Sequence, residues 1–494
     1  ERSPNRYNRY GEYGFFFQDD FQVSPKLTLN LGMRYELFPP PVDKYDMRFS
    51  MDLNSGNLVL ASEQSKRLVN PAFPTDIPIV TAEQAGFPTR SLLNGDHNNV
   101  GPRFGFAYRP FSGTGTVIRG GYGLFYSRLA WTVMDNFSGG PFQSEEDFQN
   151  EIVNGVPKLQ FPNPFPAGIS TTPTQSVTPV SRDLRTPYTQ QWNLTIEHEL
   201  GHSMVARATY RGFKTNQIPY VANLNQPFPS TDPANKNLFR FPLFYNVSYT
   251  SDGGIQKLHA LDLALERKYS KGLTFQAGYT LAKNLTDVGD DDESAGIENA
   301  YDRGSEMGNV YWMPRQRFVG SVMYDIPYGK GTGPWKQAFG NWQVSAVTVF
   351  QSGQFRTPSF GGSDPSNTRV EGGRPDQISD PSISDATNQR WFNPAAFTIP
   401  PVGRFGNSAR GVIVGPGLNN VDFGAFKYFR LGEKAKLQLR MTSINFFNHP
   451  NWGPSPNTDI TSGNVGKITG LQGSKRETLS SAARQIQVGL RIDF

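Results

Sequence analysis

Between Leu27 and Leu37 the chain reads LTLNLGMRYEL, and every second residue is apolar. Leu27, Leu29, Leu31, Met33, Tyr35 and Leu37 share one face, while Thr28, Asn30, Gly32, Arg34 and Glu36 share the other. A period of two marks a strand with one apolar and one polar face. The unit recurs. Tyr13, Phe15, Phe17, Phe21 and Val23 precede it across the tight link Ser24-Pro25-Lys26, with Asp19 as the exception on that face. Further pairs are Phe104–Tyr108 with Ile118–Tyr126, Trp192–Leu200 with Met204–Tyr210, and Leu261–Leu265 with Leu273–Leu281. Phe318–Ile326 with Trp342–Phe350 and Val421–Leu431 with Leu437–Phe447 follow, the last pair less clean because Lys427 interrupts a face. Ile486, Val488, Leu490, Ile492 and Phe494 alternate to the end of the chain.

That makes about 13 strands, many of roughly 10–12 residues, longer than the usual ~5–6. A strand of ~11 residues rises ~36 Å and, tilted ~45°, spans ~25 Å, the height of an outer-membrane apolar band. The links are ordered too. Those within pairs are mostly short; those between pairs cover 38–99, 127–187, 213–254, 284–315, 351–419 and 448–483. Strict alternation of short and long connections is the rule of membrane barrels, with short periplasmic turns and long extracellular loops. A soluble sandwich or propeller has no reason to follow it. The expected fold is all-β, an antiparallel transmembrane β-barrel in the outer membrane of a Gram-negative-type cell. Its apolar face meets outer-membrane lipid. Its polar face, carrying Arg34, Glu36, Arg119, Glu197, Arg207, Asp262 and Arg491, lines a lumen.

Composition fits and excludes. Mean hydropathy is −0.50, and no apolar run approaches the length of a membrane helix. Strands that alternate average out as polar, so this does not exclude a barrel. With no cysteine, disulfides, Cys-ligated zinc and thiol catalysis are excluded. A net charge of +5 without a Lys/Arg block gives no footprint for nucleic acid.

Several segments together resemble one family. GPRFGFAYRPFSGTGTVIRGGYGLFYSR (101–128), TPYTQQWNLTIEHEL (186–200), GLTFQAGYTLAKNLTD (272–287), QRFVGSVMYDIPYGKG (316–331) and NFFNHPNW (445–452) are similar to the barrel region of Oar-like TonB-dependent outer-membrane receptors. The resemblance covers most of the chain, in the expected order. It implies a barrel of ~22 strands, the class whose lumen is plugged. It implies energised uptake of a large solute, with TonB acting through the plug. It also implies that the outer-membrane assembly machinery reads the terminal pattern Leu490, Ile492, Phe494. The chain starts with Glu1, not Met, and its strands fall short of 22. Residues 1–494 are therefore expected to be a C-terminal barrel portion, with the plug and first strands absent and an open edge near residues 10–20. A plug-less porin or an adhesin barrel is the alternative.

One motif points elsewhere. His198-Glu199-Leu200-Gly201-His202 matches H-E-x-x-H, which on a helix presents two zinc ligands and the general base of a metalloprotease. Here the motif closes an alternating strand, GHS reads as a hairpin turn, and Gly201 weakens a helix interior. No third ligand stands at the usual spacings. No catalytic residue and no cofactor is assigned, and a metalloprotease stays a remote alternative. Asp290, Asp291 and Asp292 lie in DVGDDDESAGIEN, where clustered oxygens could hold a structural calcium, although the order is not that of an EF-hand and a solvated loop is the plainer reading. RGGYG and GKGTG lack a Walker Lys-Ser/Thr. Aromatic residues in RWFNPAAF, FRFPLFYNVSY and FPNPFPAG either grip a ligand or pack the loops together, and packing is favoured.

Overall fold

The computed structural model describes residues 7–111, 113, 115–129, 133, 140–143, 150, 152–157, 159–162, 175–289, 296–327, 335, 339–431, 435–453, 455–472 and 483–494. Thirteen long strands pair antiparallel, strictly in chain order, into one sheet. They are β1 Tyr13–Ser24, β2 Leu27–Leu37, β3 Val100–Tyr108, β4 Val117–Tyr126, β5 Tyr188–Gly201, β6 Met204–Asn223 and β7 Ser248–Ser270. β8 Leu273–Thr286, β9 Gln316–Asp325, β10 Trp342–Gln351, β11 Leu418–Leu431, β12 Ala435–Ile444 and β13 Gln485–Asp493 complete the path. A two-residue strand, Gly308–Asn309, joins the far end of β8.

The register carries the sequence alternation across the wall. Leu29, Phe106, Gly120, Leu194, Tyr210, Leu261 and Leu281 stand in one continuous cross-strand row. The next row holds Ile118, Ile196, Ala208, Leu263, Tyr279, Phe318 and Phe350. One face of the sheet is thus a broad apolar band whose side chains are largely exposed. A soluble protein would bury such a band.

Two-residue turns close the tight hairpins. His202 and Ser203 join β5 to β6 with φ of 50° and 61°, and Lys271-Gly272 join β7 to β8 with φ of 52° and 82°. Paired positive φ values are those of type I′ turns, whose twist matches the flanking strands.

The 213–254 connection departs from expectation. β6 runs on to Asn223 and β7 starts at Ser248, so the loop shrinks to 224–247. Irregular register between Thr215 and Tyr220, with Gln217 at φ 59°, hides this continuation from a period-two reading. These two strands project well beyond the apolar band and support the loops.

The buried apolar side chains lie mostly in those loops. Met47, Phe49, Met51, Leu58, Leu60, Phe142, Phe241 and Phe244 form one cluster drawn from three long connections. Val59, Leu92, Leu93, Val180 and Leu184 form a second. Phe392, Ala396, Phe397 and Ile413 form a third, packed against Trp391, Ile460 and Val465. The long connections are a folded cap with cores of their own.

Candidate functional site: a polar wall beneath a locked cap

The polar face of the sheet carries a ladder of ion pairs. Glu197 on β5 takes Arg207 of β6 at 2.8 Å and Arg119 of β4 at 3.6 Å. Asp262 on β7 takes Arg211 at 2.6 Å and the Thr280 hydroxyl at 2.6 Å. Arg34 pairs with Glu36 at 2.9 Å, and Arg491 with Asp493 at 2.8 Å. Thr189–Thr215 and Thr195–Thr209 hydroxyl pairs, each at 2.9 Å, fill the spaces between. Every charged residue assigned to this face from the alternation stands on it. Arg103, Arg317 and Arg440 stand on the same face without a carboxylate partner among the described residues, so the surface is polar with a positive excess there and suits water or a polar solute.

Above it, one arginine ties two long connections together. Arg374 is 6% exposed. Its Nη1 and Nη2 donate to Glu306 Oε2 and Oε1 at 2.9 and 3.0 Å, a bidentate fork. Its Nε lies 2.8 Å from Glu298 Oε2 as a charge contact, with the N–H pointed off the line. The Arg374 backbone N–H donates to Glu298 Oε1 at 3.0 Å, and the Glu298 N–H donates to Glu306 Oε1 at 3.1 Å. Burial raises the Glu298 carboxyl above its ordinary range, Arg374 pulls it back down, and the neighbouring Glu306 charge adds to the rise. Gly373 makes the approach possible: at φ 130°, a Cβ there would stand 2.2 Å from Glu298 Oε1. Nearby, Arg404 grips Asp376 with both Nη atoms, and Arg303 meets Asp287 at 3.0 Å.

The loop aromatics divide. Phe241, Phe244, Phe392 and Phe397 are buried in the cap cores, and Trp391 Nε1 donates to the Val414 carbonyl at 2.8 Å. Packing accounts for these. Residues 163–168 of FPNPFPAG lie outside the described residues. Phe228 and Tyr301 behave differently. Their rings stack at 3.8 Å and 17°, yet they stay 66% and 47% exposed. Tyr301 is anchored by its hydroxyl to the Gln226 carbonyl, leaving a flat apolar platform toward solvent. Sequence reasoning missed both this pair and the Arg374 clamp, because each joins connections far apart in the chain and has no local period.

His198 and His202 are placed without ambiguity. His198 is a β5 residue on the apolar face, with Nδ1 2.8 Å from the Thr116 hydroxyl of the neighbouring turn. Glu199 is on the opposite face, Gly201 ends the strand at φ 78°, and His202 is the first turn residue. A zincin needs both histidines one helical turn apart with the glutamate beside them; here His202 lies past the strand in the turn, and Glu199 points to the face opposite His198. Asp290, Asp291 and Asp292 lie outside the described residues. Leu490 and Ile492 extend the apolar rows at the last strand, opposite Leu439 and Leu437, and Phe494 follows fully exposed.

Residues 1–487 match the family model of the outer membrane beta barrel domain. The chain belongs to that family. Its barrel wall therefore faces outer-membrane lipid with the apolar rows and a lumen with the polar ladder. It is a membrane barrel and not an enzyme. No curated protein matches. Among solved structures the barrel is similar to the outer membrane transporter YddB from Escherichia coli, with TM-score 0.47 and 10% identity over 98% of this chain and 45% of that one. It is similar to the pyoverdine receptor FpvA from Pseudomonas aeruginosa, with TM-score 0.45 and 11% identity over 99% and 43%. It is also similar to the FrpB iron transporter from Neisseria meningitidis, with TM-score 0.42 and 11% identity over 98% and 46%. The chain spans less than half the length of each.

Proposed function

We propose that this barrel is part of a TonB-dependent outer-membrane receptor that takes up a large solute by energised transport. The reading rests on the ordered segments at 101–128, 186–200, 272–287, 316–331 and 445–452 that resemble the barrel region of such receptors, set on an outer-membrane barrel wall, and the parity of the sheet is compatible with it. Among the described residues β1 and β13 each pair on one side only, and twelve antiparallel steps leave them running in the same direction. Joining them directly would set one parallel pair into an antiparallel wall. Leaving them open in lipid would strand a row of N–H and C=O groups. Antiparallel closure needs an odd number of further strands, a condition met by any even-stranded barrel, the ~22-stranded plugged class included. The polar ladder and the locked cap support a receptor with a structured mouth. We assign the Phe228–Tyr301 platform as a solute contact. TonB would act through a plug in the closed barrel.

The test uses the full receptor. It is expected to retain the periplasmic domain of TonB on a column and to hold planar bilayers closed to ions. Steady conductance without TonB binding would mean a passive porin. Neither property, with adhesion of cells to surfaces, would mean an adhesin.

The terminal pattern has its own prediction. Leu490, Ile492 and Phe494 are proposed as the signal read by the barrel-assembly machinery. Deleting Phe494 removes no contact within the sheet. Folded barrel in outer-membrane fractions, measured as the heat-modifiable gel band, is expected to fall several-fold, while refolding from urea into detergent stays unchanged. Equal losses in both would make Phe494 a stability residue instead.

A further inference from the structure

The two faces of β6 treat charge differently. Arg207 and Arg211 on the lumen face are each paired, at 2.8 and 2.6 Å. On the lipid face Lys214 stands directly opposite Lys257 of β7, and Lys283 of β8 stands opposite His259. Lys257 and Lys283 are exposed and Lys214 is partly so. Among the described residues none of the three lysines has a carboxylate partner. Like charges directly opposite across a strand pair repel. Strand β6 thus pairs both of its inner arginines within the sheet, while on its outer side three neighbouring lysines are left without a counter-charge among the described residues.

What lies beneath the lysines defines that molecule. The His259 ring is 5.9 Å from Trp192 and 6.2 Å from Tyr210, and its Nδ1 is 2.7 Å from the Tyr210 hydroxyl. Trp192 lies across Gly212, where an added Cβ would stand 2.6 Å from the indole. This is an aromatic shelf of the kind found at the membrane–water boundary. Directly below it, Leu194, Leu261 and Leu281 are exposed in one cross-strand row. Lys257 is four residues above Leu261, about 13 Å along the strand. The lysines are on the long-loop side of the band, hence the outer leaflet. Going inward, Lys214 and Lys257 come first, then the row of Trp192, His259 and Lys283, then the row of Leu194, Tyr210, Leu261 and Leu281.

We propose that this face of β5–β8 seats a phosphate-bearing lipid of the outer leaflet, its phosphate on Lys214, Lys257 and Lys283 and its acyl chains along Leu194, Leu261 and Leu281. Lysine suits the role as a compact charge on a long stem that reaches a headgroup from an apolar wall. The bound phosphate removes the repulsion between Lys214 and Lys257.

The test is a titration of the full receptor, delipidated in non-ionic detergent and followed by native mass spectrometry and Trp emission. The probes are a diphosphorylated disaccharide lipid, its dephosphorylated form and inorganic phosphate. The wild type is expected to hold the diphosphorylated lipid, and Lys214→Gln/Lys257→Gln/Lys283→Gln to weaken it on the order of 100-fold. The dephosphorylated lipid should bind both proteins equally weakly. The triple Lys→Arg variant should keep binding, and Lys257→Gln alone should lose part of it. The heat-modifiable band reports that each variant is folded. Undiminished lipid binding by the Gln variants would overturn the proposal. So would inorganic phosphate displacing the lipid at equal concentration, which would make this a free-anion site.

Discussion

Replacing Arg374 with methionine is expected to open the cap while leaving the barrel folded. Arg374 is buried between Glu298 and Glu306, and those carboxylates would be left facing each other without a cation. Removing one partner of a buried ion network costs about 3–5 kcal/mol, because the stranded charges keep their desolvation penalty. That corresponds to acceleration of local hydrogen exchange on the order of 10²–10³-fold. The effect should be confined to the connections that Arg374 joins, 287–315 and 352–417, with the β5–β8 amides unchanged. Neutralising all three groups, with Arg374→Met, Glu298→Gln and Glu306→Gln together, should recover much of the loss, since no charge is then stranded. The pH dependence has a definite sign. Burial holds the Glu298 pKa above its unfolded value, so its stabilising contribution is fully present below the unfolded pKa and is lost as pH rises through the folded pKa. Arg374 is the group that lowers it, so methionine pushes it further up. The deficit of the single variant should therefore be largest at neutral pH and shrink on acidification. A deficit independent of pH, or exchange changed less than about tenfold, would show that the clamp does not hold the cap.

The wall was legible and the cap was not, for a physical reason. β2 begins and ends at Leu27 and Leu37, where the alternation places it, because lipid on one side and a polar lumen on the other force every residue to declare its face. Past the apolar band that demand stops. Lys214, Thr215, Asn216 and Gln217 carry no alternation, although β6 continues through them, since both faces there meet polar surroundings. In the cap, Arg374 finds its partners 76 and 68 positions away, at Glu298 and Glu306. Ion pairs across that distance have no period. HELGH is the reverse case, a local pattern whose meaning depends on a helix that the surrounding alternation forbids. The candidate site was thus half visible: its lumen charges follow from face assignment, while its clamp and the Phe228–Tyr301 platform needed three dimensions.

Lys427 is the residue that broke the alternation of β11, and reversing its charge is expected to destabilise the barrel itself. It stands on the lipid face, opposite Trp342 of β10 and Leu439 of β12, and yet is 2% exposed. Its Nζ donates to the Gly340 carbonyl at the short-turn side, between the rings of Trp342 at 5.3 Å and Phe429 at 5.2 Å. Two aromatic rings flank the ammonium, and protein covers the side chain almost wholly. The stem runs along the apolar wall and the head reaches toward the periplasmic boundary, which is how a barrel tolerates a lysine on its lipid side. Glutamate at this position would turn a carboxylate toward a carbonyl oxygen and two negative ring faces, with no donor to replace the one lost. The expected cost is about 3 kcal/mol or more. Methionine keeps the apolar stem and loses only the bond to Gly340, for about 1–3 kcal/mol. Urea titration of barrels refolded into vesicles, read by the heat-modifiable band, should order them wild type, Lys427→Met, Lys427→Glu. Equal midpoints for the two variants would mean that the aromatic nest does not sense the sign of the charge. A methionine variant more stable than wild type would mean that the bond to Gly340 does not repay burying an ammonium at the membrane edge.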